Sequence, residues 1–126
     1  MANDGTRLLV VDDDRDVREA IIRALRLEGF TVAGAADGTE ALALMHADRP
    51  DALVLDIGMP GLDGLEVCER VRADGESQTR LMLLSAYMDE TVIERARQVG
   101  ADAYLSKAAS RREICDEAIR VGRSVA

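Results

Sequence analysis

The chain has 126 residues, enough for one ordinary domain that buries roughly two thirds of its unfolded surface. Its formal charge is −8 and its only aromatic residues are Phe30, Tyr87 and Tyr104, so it lacks the basic footprint that direct nucleic acid binding needs. Residues 1–4 carry no apolar h-region and no apolar run approaches membrane-spanning length, which predicts a cytoplasmic chain with no membrane contact.

Leu8-Leu9-Val10-Val11, behind Arg7, predicts a strand that runs into Asp12-Asp13-Asp14. From Arg15 the period becomes helical, with Val17, Ala20, Ile21, Ala24 and Leu25 on one face. Asp14 or Asp16 caps this helix and Gly29 closes it. Residues 30–35 form a second, weaker strand, and Asp37-Gly38 turns into a short helix over 39–46. His46 on that helix has no partner at metal spacing and reads as solvated surface. Past Pro50, the apolar run Ala52 to Leu55 stops on Asp56 and breaks at Gly58, Pro60 and Gly61. Such a run is a buried strand delivering a carboxylate into a loop, and a charge there costs free energy unless it is compensated.

Leu65, Val67, Cys68 and Val71 define a third helix, followed by a polar connector over 74–77. Leu81 to Leu84 is a fourth strand ending on Ser85, and residues 89–99 form a fourth helix closed by Gly100. A brief fifth strand over 103–105 ends in Ser106-Lys107, and Ile114, Cys115, Ala118, Ile119 and Val121 mark the last helix. Cys68 and Cys115 lie within these helical patterns without C-x-x-C spacing, and both read as small buried hydrophobes. Strict alternation of strand and helix predicts an α/β domain with a parallel sheet covered on both faces.

On open parallel sheets, ligands bind beyond the carboxyl ends of the strands, near the topological switch point. The residues at those ends are Asp12 and Asp13, then Asp56, Ser85 and Lys107; the second strand offers only Ala35, Ala36 and Asp37. With a strand order of 2-1-3-4-5 they converge on one edge. Three carboxylates that share a site need a cation, and an oxygen-only set with few protein ligands suits Mg²⁺, with Mn²⁺ as the alternative. Lys107 and Ser85 then fit the oxygens of a phosphoryl group on Asp56. Taken singly each residue has a plainer reading. The acidic triplet could cap a helix, Asp56 could begin a turn, and Lys107 and Ser85 could be surface groups; only their joint placement points to chemistry.

These residues carry a resemblance. Val10-Val11-Asp12-Asp13, Leu55 to Gly64, Leu84-Ser85-Ala86 and Gly100 to Lys107 make the chain resemble, over essentially its whole length, the receiver (CheY-like) domain of two-component response regulators. The resemblance implies a single flavodoxin-like (βα)5 domain over 1–126, either stand-alone or part of a larger regulator. It implies that Asp56 takes a phosphoryl group from the phosphohistidine of a sensor histidine kinase. Asp12, Asp13 and Asp56, with the backbone carbonyl of Gly58, would hold Mg²⁺. Ser85 would follow the phosphoryl group inward and Tyr104 would rotate with it. The surface of the fourth helix, fifth strand and fifth helix would then signal to an effector domain or partner protein. Such a domain is no enzyme beyond promoting its own phosphorylation and dephosphorylation.

The sequence departs from the family's usual pattern at four places. Ala108 follows the site lysine where proline in a cis peptide is usual. A cis bond without proline costs about 3 kcal/mol, so the Lys107–Ala108 bond is predicted to be trans. Ser85 stands for the commoner threonine. Gly58 offers no side chain over the phosphorylation site, with Tyr87 able to cover it from the other side; these two are the expected lifetime-tuning positions. Ile93, Ala103 and Glu117 occupy places that are usually basic, acidic and basic in one large subfamily, which argues against its charged-pair dimer. Three rivals fit less well. A phosphohydrolase would carry a second acid where Gly58 stands, and an FMN-binding module would not place an acidic triplet after the first strand. A pseudo-receiver would not keep Asp13, Asp56, Ser85 and Lys107 together.

Overall fold

A computed structural model describes residues 5–59, 63–73, 78–86 and 89–125. The elements alternate in chain order as β1 Arg7–Val11, α1 Arg15–Leu27, β2 Thr31–Ala35, α2 Gly38–Ala47 and β3 Ala52–Asp56. They continue as α3 Gly64–Ala73, β4 Arg80–Ser85, α4 Glu90–Gln98, β5 Ala103–Ser106 and α5 Arg111–Arg123. The strands are all parallel in the order β2-β1-β3-β4-β5, which is the predicted order and places the switch point between β1 and β3. Pro60 and Gly61, the 74–77 connector and Tyr87 lie outside the described residues.

Side chains on a strand alternate between faces, and here both faces are covered. Leu9, Val11, Leu53, Leu55, Leu81 and Leu83 pack in one core with residues of α2, α3 and α4. Leu8, Val10, Ala52, Val54, Met82 and Leu84 pack in the other with α1 and α5. That is why β3 reads as an unbroken apolar run rather than an alternating one. Ala52, Leu53, Val54 and Leu55 are all 0% exposed, so the strand that carries Asp56 has no freedom to shift.

The helix ends follow local chemistry. Asp14 caps α1 by accepting the N–H groups of Asp16 and Val17, and Asp37, Asp89 and Ser110 cap α2, α4 and α5 in the same manner. Gly29 and Gly100, with φ of 95° and 74°, take the left-handed position after α1 and α4. Arg72 of α3 donates to the carbonyls of Thr79, Val99 and Gly100, tying α3 to the connection between α4 and β5.

Two expectations need adjusting. Cys68 is buried at 0% exposure and burial pushes its thiol up to about 12. Cys115 is only half-buried, because it sits where α5 crosses α1 and faces the Ala20 carbonyl. The weaker second strand begins at Thr31, while Phe30 turns into the core, where its ring lies against Gly122 of α5.

Gly64, the first residue of α3, sets the distance between that helix and the end of β3. A Cβ there would stand 2.7 Å from the Asp56 carbonyl oxygen and 2.9 Å from Ile57 Cα. Backbone atoms cannot give way, so Gly64→Ala is expected to lower unfolding free energy by about 2 kcal/mol. Gly58→Ala, whose Cβ would meet only Asp56 Oδ1, at 3.5 Å, among the described residues, should stay within about 0.5 kcal/mol of wild type. Urea denaturation of the two variants measures the contrast; equal stabilities would show that this approach is not tight.

Candidate functional site

The strand ends bring the predicted acidic residues together. Val10 pairs with Val54 in the β1–β3 register, and two residues further along each chain stand Asp12 and Asp56. Ligand oxygens of Asp12, Asp13 and Asp56 all lie within 4.8 Å of one another. Asp12 and Asp56 are 1% and 3% exposed, whereas Asp13 is exposed at the rim. The acidic triplet divides its work: Asp12 faces inward, Asp13 sits at the opening, and Asp14 caps α1 while its N–H donates to Asp12 Oδ1 at 2.9 Å. The capping and metal-binding readings of the triplet are therefore compatible, each belonging to different members.

Lys107 enters from the turn after β5. Its Nζ stands 2.9 Å from Asp56 Oδ2 and 3.3 Å from Asp12 Oδ1, with which it hydrogen-bonds, and 3.2 Å from Asp12 Oδ2. Although close to the ammonium, Asp12 Oδ2 is fully buried and has no hydrogen bond among the described residues. Burial raises the Asp12 carboxyl, the hydrogen bond from Asp14 lowers it, and the neighbouring Asp56 charge raises it further; the net direction is up. Burial works to lower the Lys107 ammonium, but its hydrogen bond to Asp56 and the two carboxylate charges outweigh that and hold it above the ordinary lysine range. Lys107 thus keeps its proton across neutral pH.

The turn that presents Lys107 shows what replaces the usual proline. No peptide bond among the described residues is cis, so Lys107–Ala108 is trans as predicted. The Ala108 N–H, which proline would lack, donates to Ser106 Oγ at 3.0 Å, and the Ala109 N–H donates to the Ser106 carbonyl at 3.0 Å. The Lys107 N–H donates to the Ser85 carbonyl at 2.8 Å, which ties this turn to the end of β4.

Ser85 is buried at the carboxyl end of β4, in register with Ser106. The Gly58 N–H donates to Asp56 Oδ1 at 2.9 Å, leaving that glycine exposed beside the carboxylate. Tyr104 lies on β5 opposite Leu83, 41% exposed and directed away from the core. Sequence reasoning overlooked Arg18, whose Nη1 donates to the Asp12 carbonyl at 2.7 Å. An arginine in an amphipathic helix reads as solvated, so nothing in the sequence marks it.

The donor set fits a hard divalent cation. It consists of oxygens only, includes one buried carboxylate oxygen without a hydrogen bond, and opposes three carboxylates with one ammonium. Asp12, Asp13 and Asp56 could hold such an ion.

Comparison with known proteins agrees with this geometry. The family model described as "Response regulator receiver domain" matches residues 8–119. The chain is 50% identical over 105 residues to "Response regulator MprA" of Mycobacterium ulcerans, covering 82% of this chain and 44% of that protein. It is 50% identical over 103 residues to the protein of the same name from Mycobacterium avium, covering 80% and 44%. The chain thus spans less than half the length of these relatives. The signal receiver domain of NarL from Mycobacterium tuberculosis superposes with a TM-score of 0.82 at 38% identity, over 96% of this chain and 98% of that one. Chemotaxis protein CheY4 of Vibrio cholerae gives 0.83 at 29% identity, over 92% and 98%. A DNA-binding response regulator of the LuxR family from Staphylococcus aureus gives 0.80 at 28%, over 93% and 98%. No described helix is long and apolar enough to cross a membrane. With its sheet order, its convergent strand-end residues and these relatives in agreement, the chain belongs to the response regulator receiver domain family, the signalling modules of two-component systems.

Proposed function

We propose that Asp56 is the phospho-acceptor and that its phosphorylation by a sensor histidine kinase, with Mg²⁺ present, is the input to this domain. The observation that carries the reading is the contact of Lys107 Nζ with both buried carboxylates, at 2.9 Å from Asp56 Oδ2 and 3.2 Å from Asp12 Oδ2. An Asp56 carboxylate oxygen attacks the phosphorus of the donor phosphohistidine. The P–O bond forms as the P–N bond breaks, and the leaving imidazole takes up a proton. Asp12, Asp13, Asp56 and the Gly58 carbonyl would hold the Mg²⁺, which when bound would supply charge neutralisation and alignment of the phosphoryl oxygens. Lys107 is already placed to pair with one of those oxygens and to offset part of the added negative charge when Asp56 becomes a mixed acyl phosphate anhydride.

The output follows from the neighbours. Ser85, at the end of β4, supplies a hydroxyl donor toward the added group, and Tyr104 turns inward from its exposed position on β5. The surface of α4, β5 and α5 then carries the change to an effector domain or partner protein, as a local charge event biasing a two-state element. The proposal extends to no dimer built on charged pairs. Ile93 is half-buried, Ala103 is buried and Glu117 is engaged by Arg120.

Gly58 acts as the timer. Among the described residues, a Cβ there would meet nothing nearer than Asp56 Oδ1 at 3.5 Å, which supports access of water to the phosphoryl group from this side.

Three outcomes test these assignments. Incubation with acetyl phosphate and Mg²⁺ should add one phosphoryl group to the wild type and none to Asp56→Asn, as read by intact mass; a group that survives the substitution would overturn the acceptor assignment. Gly58→Met should slow loss of the phosphoryl group by about threefold, under about 1 kcal/mol in the barrier, and an unchanged half-life would refute the timer. Asp12→Asn removes one of three clustered charges. It should raise the melting temperature in EDTA and abolish the further rise that Mg²⁺ gives the wild type; a variant that still gains stability from Mg²⁺ would remove Asp12 from the cation site.

A further inference from the structure

Asp12 is gripped through its backbone as well as its side chain. Its N–H donates to the Ala35 carbonyl at 3.2 Å, and its carbonyl accepts from Arg18 Nη1 at 2.7 Å. That carbonyl belongs to the peptide plane joining Asp12 to Asp13, so whatever fixes the plane sets the directions in which both carboxylates leave the chain. The Arg18 stem runs beside Gly34 of β2, which pairs with Val10. A Cβ at Gly34 would stand 3.4 Å from Arg18 Cδ, 3.7 Å from Arg18 Cγ and 2.8 Å from Ile22 Cδ1. Arg18, half-buried, thus places its guanidinium over the end of β1.

The charge of Arg18 works against a cation-binding role. A positive group beside a cation site weakens cation binding by repulsion, so the contact must serve through geometry or not at all. The planar guanidinium, with its donors in a fixed fork, loses less freedom in such a bond than an ammonium does. Resting on the phospho-acceptor reading above, we infer that Arg18 is a positioning residue for the cation site. It holds the Asp12–Asp13 peptide so that both carboxylates face the ion. Outer partners that orient a metal ligand commonly matter by tenfold or more in affinity.

The same helix supplies an internal control. Arg26 of α1 makes an equivalent bond, Nη2 to the Val32 carbonyl at 2.9 Å, on the edge strand β2. If arginine-to-carbonyl bonds serve only to dock α1 on the sheet, Arg18 and Arg26 should behave alike. The test is a Mg²⁺ titration followed by backbone amide NMR, with melting temperatures measured on the same samples. Arg18→Met is expected to raise the Mg²⁺ dissociation constant by about tenfold, against the tightening that loss of a positive charge alone would give. Arg18→Lys, which keeps the charge and a stem, should fall between the two. Arg26→Met should lower the melting temperature while binding Mg²⁺ like the wild type. Unchanged or tighter binding in both Arg18 variants, or equal weakening in Arg26→Met, would overturn the positioning role. A wild type that shows no saturable Mg²⁺ response would fail at an earlier step, taking the functional reading with it.

Discussion

One ammonium between two buried carboxylates is the contact on which the site depends. Lys107 Nζ bonds to Asp56 and Asp12 at the edge of the sheet, with Asp13 close by at the rim. Burying a carboxylate is costly without a partner, and placing a second beside it adds repulsion. Lys107 offsets part of that cost but leaves net negative charge and, among the described residues, one buried oxygen of Asp12 without a hydrogen bond. An arrangement in which charge is only partly compensated is suited to receiving a cation and then a phosphoryl group. A fully satisfied network would have no use for either.

The rest of the fold holds these groups at fixed separation. β3 is buried on both faces and positions Asp56; β1 lies beside it and positions Asp12; β5 and its turn bring Lys107 across the carboxyl end of β4. Gly64 lets α3 begin against the backbone of Asp56 and Ile57. At the opposite end of the sheet, Arg72 binds the carbonyls that close α4, and Asp102 accepts from Arg80 and the Leu81 N–H to join β4 to β5. Side chains with fixed partners therefore brace the domain at both ends of the sheet, whereas Tyr104 stands exposed between them.

Much of this was legible in the sequence, for identifiable reasons. Apolar runs with no polar alternation, as in Ala52 to Leu55, occur where a parallel sheet is covered on both sides, so the alternation of strands and helices already implied the layers. Capping residues such as Asp14 and Asp37 and the glycines at 29 and 100 marked the helix ends to within a residue or two. The strand-end rule then picked out Asp12, Asp13, Asp56 and Lys107, and all four meet. Less legible were features that depend on distances across the fold. The exposure of Cys115 depends on how α5 crosses α1, and the role inferred for Arg18 depends on a contact between α1 and the end of β1 that no local pattern encodes. The division of labour within Asp12-Asp13-Asp14 was equally hidden, since identical side chains acquire different tasks only when the strand ends and the helix begins.

The central claim is that Asp56, supported by Lys107 and a cation held at Asp12 and Asp13, accepts a phosphoryl group. Fluorine NMR with beryllofluoride, which mimics that group on a carboxylate, addresses it most directly. Bound fluoride resonances should appear only when Mg²⁺ is present and be lost in Asp56→Asn. Bound resonances that persist without Mg²⁺ or in the Asp56→Asn protein, or none in the wild type with Mg²⁺ supplied, would contradict it.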